Sequence, residues 1–80
     1  MENAAIEQRH RIDRIVKELM PHAIINYDSE APGVIGFKIL DNNTNIVLAA
    51  TASPLRVQEL AGKSDDWVRR FISQLGGGDL

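Results

Sequence analysis

From residue 4 to residue 19, apolar side chains recur with a helical period. At about 100° per residue, Ala4, Ala5, Ile12, Ile15, Val16 and Leu19 fall within an arc of roughly 120°, and most of the charges lie outside it. The pattern predicts an amphipathic helix over residues 3–20. Asn3 supplies an N-cap, and Pro21 ends the helix by disfavouring α geometry at the residue before it. On the polar side Glu7 and Arg11, Arg9 and Asp13, Asp13 and Lys17, and Arg14 and Glu18 stand four residues apart, each pair worth about 0.2–0.5 kcal/mol.

Three apolar or β-branched runs of strand length follow, Ala23 to Asp28, Val34 to Asp41 and Ile46 to Thr51. Ser29-Glu30-Ala31-Pro32-Gly33 and Asp41-Asn42-Asn43-Thr44-Asn45 separate them as turns, which predicts a three-stranded antiparallel meander. A turn tipped by Asn42 and Asn43 sets Ile39 opposite Ile46, Phe37 opposite Leu48 and Ile35 opposite Ala50 on the core face. For the first pair, a three- or five-residue loop with Gly33 at positive φ sets Ile25 beside Ile39 and Tyr27 beside Phe37. Ser53-Pro54 then predicts a short helix from Pro54 to Ala61, stopped by Gly62. Ser64 caps a last helix with Asp65 and Asp66 in its first turn, facing Arg69 and Arg70, and an apolar stripe of Trp67, Val68, Phe71, Ile72 and Leu75. Gly76, Gly77 and Gly78 end it.

The expected architecture is a single α+β domain over residues 1–75, ordered α-β-β-β-α-α, with a flexible glycine-rich tail at 76–80. An N-terminal helix, a three-stranded antiparallel meander and one or two C-terminal helices enclose one core, in which Ile15, Leu19, Phe37, Ile39, Leu48 and Phe71 meet.

The 80 residues carry 9 Lys plus Arg against 11 Asp plus Glu, a net charge of -2, and no cysteine. Disulfides, thiolate nucleophiles and sulfur-ligated zinc are thereby excluded. No apolar run is long enough to span a bilayer, and charged residues interrupt the first apolar segment, so a cytoplasmic, membrane-free protein is expected.

Chemistry-bearing motifs read as structure. Gly62-Lys63-Ser64 resembles the end of a phosphate-binding loop, but Val57 stands where that loop needs its first glycine, and a helix precedes it in place of a strand. His10 and His22 lack a third ligand at metal-site spacing. Ser29, Ser53, Ser64 and Ser73 have no nucleophile-elbow context, and the carboxylates mostly have cationic partners at helical spacing. Neither catalysis nor a cofactor or metal is expected. The order α-β-β-β-α is shared with double-stranded RNA-binding domains, which makes nucleic-acid binding the alternative function, beside a small ligand-binding protein. Against nucleic acid, Arg9, Arg11, Arg14 and Lys17 alternate with Glu7, Asp13 and Glu18, so no one-signed phosphate track forms.

The informative surface is the outer face of the sheet, to which the expected register assigns Val34, Gly36, Lys38, Leu40, Val47 and Ala49. That set is too apolar for a solvated face. Either the protein's own helices fold over it or another chain covers it, and the small core favours the second, a homodimer or a protein partner. Gly33, Lys38, Asp41, Thr44 and Val47, with apolar Ile39, Leu40 and Leu48, resemble the hairpin of FlaG-type flagellar proteins. Asn45 stands where that family has glycine, an exchange that still accepts positive φ. The resemblance implies a non-enzymatic accessory of the flagellar filament. The expected function is thus a small non-enzymatic protein–protein interaction module that self-associates through its sheet.

Overall fold

The computed structural model describes residues 2–27 and 33–77. Helix α1 spans Glu2–Leu19, starting one residue before Asn3. Strands β1 (Ala23–Tyr27), β3 (Phe37–Asp41) and β4 (Val47–Ala50) form an antiparallel sheet in the order β1-β3-β4. Strands β2 (Val34–Ile35) and β5 (Leu55–Arg56) form a separate antiparallel ladder, followed by helices α2 (Val57–Ala61) and α3 (Asp65–Gly77). The expected α+β class and element order are observed. The Ser29–Pro32 part of the first turn, the strand end at Asp28 and the last three tail residues lie outside the described residues. Gly76 and Gly77, expected in the tail, belong to α3.

The first pairing follows the expected register, with Ile25 opposite Ile39 and Tyr27 opposite Phe37, and Gly33 has φ +83°, but the expected three- or five-residue loop is not formed, because Val34 and Ile35 pair with β5 in place of continuing the hairpin. The second run, however, is not one strand. At Gly36, itself buried, the chain passes from one ladder to the other: Ile35 pairs with Leu55, while Phe37 pairs with Tyr27. Thr51 extends the β3–β4 ladder by one step at this junction, its N–H donating to the Phe37 carbonyl (3.1 Å) and its hydroxyl accepting from the Phe37 N–H (3.2 Å).

The β3–β4 connection corrects the expected register twice. Its turn holds four residues, Asn42 to Asn45, closed by Asp41 N–H to the Ile46 carbonyl (2.9 Å) and Asn45 N–H to the Asp41 carbonyl (2.8 Å). Asn45 takes φ 60°, a conformation asparagine tolerates. The Asp41 carboxylate accepts the Asn43 N–H (2.7 Å) and the Thr44 hydroxyl accepts the Ile46 N–H (3.3 Å). A turn lengthened by two residues preserves which side chains face inward. The bulge that follows does not: Leu40 opposes Val47, yet Ile39 opposes Ala49, so Leu48 is an extra residue and the alternation inverts. Ala49, expected on the outer face, is in the core. Leu48, expected in the core, is 40% exposed.

The Pro54 to Ala61 helix is also shorter than expected. Arg56 remains extended to pair with Val34, and the Val57 N–H donates to the Gly33 carbonyl (2.8 Å). Strand pairing thus takes the residues that Ser53 was expected to start as a helix. The end at Gly62 is as expected, as is Ser64, whose hydroxyl accepts the Trp67 N–H (3.1 Å).

One core joins all layers: Ile12, Ile15 and Val16 of α1, Ala23, Ile35, Phe37, Ile39 and Ala49 of the strands, Val57 and Leu60 of α2, and Val68 and Ile72 of α3. Phe71 packs on its margin, and Leu19, expected inside, is exposed at the end of α1. Tyr27 ties β1 to α1. Its ring meets Phe37 edge-on, its hydroxyl lies 2.8 Å from the Asp13 carboxylate and 3.0 Å from the Arg9 carbonyl, and the Arg9 guanidinium covers its face. Burial, with the Asp13 charge, raises the Tyr27 pKa well beyond the ordinary phenol range, so the hydroxyl stays protonated.

Candidate interaction surface

The buried residues Ala23, Phe37, Ile39 and Ala49 alternate along their strands, and α1 and α3 pack on the side to which they point. The opposite face carries the intervening positions: Ile24 and Asn26 on β1, Lys38 and Leu40 on β3, and Val47 and Ala50 on β4. Across it Ile24 opposes Leu40, and Leu40 opposes Val47, an apolar stripe running over all three strands. Ile24 is 39% and Val47 50% exposed, and beside them Ile46 is 61% exposed. The helices therefore do not cover this face.

Of the six positions expected there, Lys38, Leu40 and Val47 share the surface. Val34 sits in the other ladder opposite Arg56, because the chain changes sheets at Gly36. Gly36 is buried at that switch, and Ala49 faces the core through the bulge. Ile46, Leu48 and Ala50 are the exposed positions that alternation alone misassigned. One signal in the sequence marks their neighbourhood: no charged residue occurs from Asn42 to Leu55.

Charge is concentrated instead between the helices. Arg11 donates to Asp65 (3.2 Å) and to the carbonyls of Leu60 (2.5 Å) and Lys63 (2.7 Å), holding the end of α2. Arg14 reaches the same Asp65 carboxylate (3.2 Å), and Arg69 bridges Glu18 (2.6 Å) and Asp66 (2.9 Å). In place of the ladder expected along α1, Arg11, Arg14 and Glu18 of α1 pair with Asp65 and Arg69 of α3, and Arg69 also pairs with Asp66 within α3. Lys63 lies over the Trp67 ring, which is stacked on Phe71. Much of the basic charge is therefore locally engaged, and among the described residues no exposed aromatic side chain lies on the outer sheet face.

Hydrogen bonding to Arg14, and then to Arg11, holds the Asp65 pKa below its ordinary 3.8, and hydrogen bonding to Arg69 holds Glu18 below 4.5. A carboxylate whose pKa is depressed by folding stabilises the fold above its unfolded pKa, and that contribution is lost as pH falls through the folded value. The melting temperature should accordingly fall on acidification from about pH 5 to about pH 3. Glu18→Gln with Asp65→Asn should flatten that decline; equal slopes for variant and wild type would show that these pairs do not contribute.

Among the described residues no group of three or more His, Cys, Asp or Glu side chains could hold a metal ion, and His10 and His22 are exposed. No described helix is long and apolar enough to cross a membrane. No protein-family model, curated protein or solved structure matches this chain.

Proposed function

We propose that this chain is a small, cytoplasmic, non-enzymatic interaction module that self-associates through its β1-β3-β4 sheet. The observation that carries the reading is the exposed apolar surface of the sheet, densest at Ile46, Val47 and Leu48 around the start of β4 and continued across the outer face by Leu40 and Ile24 on the side away from the helices. A lack of cysteine suits a reducing compartment. The nucleic-acid alternative has less support, since Arg11, Arg14 and Arg69 are committed to carboxylates. Of the residues shared with FlaG-type hairpins, Gly33, Asp41 and Thr44 have turn-forming work here. The likeness is one of turn chemistry, and the proposed function does not depend on it.

Light scattering coupled to size-exclusion chromatography tests the reading. The wild type should elute at twice 8.9 kDa and Val47→Lys at the single mass with an unchanged circular dichroism spectrum. A wild type that remains at the single mass at every concentration would remove the basis for self-association.

A further inference from the structure

Resting on that reading, we infer that the second copy joins along the free edge of β4, making one continuous six-stranded sheet across a two-fold axis. Among the described residues, β4 pairs with β3 on one side and has no strand on the other. Thr51 N–H donates to the Phe37 carbonyl, so Phe37 and Thr51 form a hydrogen-bonded pair and the next pair, Lys38 and Ala50, does not. On the far side of the bulge, Asp41 N–H donates to the Ile46 carbonyl, and Leu40 and Val47 are likewise a non-hydrogen-bonded pair. The N–H and C=O groups of Val47 and Ala50 therefore point outward along the edge. An antiparallel copy can place its Ala50 opposite Val47 and its Val47 opposite Ala50, and both residues then lie on the outer face in both copies.

Four observations select a second copy at this edge over one stacked on the face. Ile46, Val47 and Leu48, consecutive in the chain, are 61%, 50% and 40% exposed, whereas Leu40 in the middle of the face is already half-buried. β4 is short and bulged, but it carries no lysine or proline to block pairing, and on both sides of the bulge the backbone groups of Val47 and Ala50 remain directed outward. The uncharged run from Asn42 to Leu55 lets two identical edges meet without like-charge repulsion. Stacking face to face would instead trap exposed Lys38 against the apolar surface of the other copy, whereas edge pairing leaves its ammonium group in water.

Two variants and one exchange measurement decide between the modes. Ala50→Pro removes an outward N–H at a position where an edge strand accepts proline. It should halve the mass from twice 8.9 kDa while the circular dichroism spectrum is retained, and Ile24→Lys should remain dimeric. In the wild type, amide exchange at Val47 and Ala50 should slow at least tenfold between dilute and concentrated samples, a reading independent of whether the proline variant folds. A dimer in which Ile24→Lys separates the copies and exchange at Val47 and Ala50 is independent of concentration would overturn edge pairing while leaving self-association intact. A monomeric wild type would overturn both.

Discussion

Phe37→Ala should lower the stability of the domain by about 3–5 kcal/mol, the range for emptying a fully buried aromatic site. The side chain is 1% exposed and stands where the layers converge. Tyr27 meets its ring, β3 carries it in the middle of the sheet, and its backbone is bonded to Thr51 at the end of β4. A cavity here would remove contacts from several elements at once, and a short chain has few other places from which to recover them. Because small domains retain only about 5–15 kcal/mol in total, the variant should show a large fall in urea midpoint and be partly unfolded at moderate temperature. A midpoint equal to that of the wild type would mean that Phe37 is not a core residue.

Gly36→Arg should fail to fold. Had Gly36 faced outward, the substitution would interfere only with a partner, but the residue is buried between Ile35 and Phe37, each 1% exposed. A guanidinium cannot shed its charge by titration, and placing it there without an anionic partner costs several kcal/mol. The backbone is constrained as well, since this residue carries the chain from the ladder with β5 to the ladder with β1. Ala50→Arg, with the same side chain on an exposed strand position, is the control and should keep the native far-ultraviolet spectrum. A folded Gly36→Arg with an unchanged spectrum would refute the placement of this residue.

These two results separate what local signals specify from what they do not. The α1 stripe was legible because helical periodicity repeats over five turns, and Ile12, Ile15 and Val16 are buried as that period requires. The β1–β3 register was legible because only an odd loop places Ile25 and Tyr27 on the same side as Ile39 and Phe37. Gly62 and Ser64 were legible because capping chemistry lies in the residue itself. The candidate surface was legible only in part. Its existence followed from too many apolar residues for one core face, but Gly36 and Ala49 were assigned to it by counting twos along a strand that in fact breaks, and along another that bulges.

By itself, then, the sequence determined the order of the helices and of the three strands of the main sheet, most of the inward stripes of α1 and α3, and where along the chain the turns fall. Tertiary structure alone decided that Val34 and Ile35 leave the main sheet for Leu55 and Arg56, and that Ala49 turns inward while Leu48 does not. The physical reason is that alternation has a period of two, so one extra residue inverts every side chain beyond it. The local chain does not specify where that residue is inserted. That depends on what packs against β4: α3 lies against the strand, the small Ala49 is buried, and the bulkier Ile46, Val47 and Leu48 stay exposed.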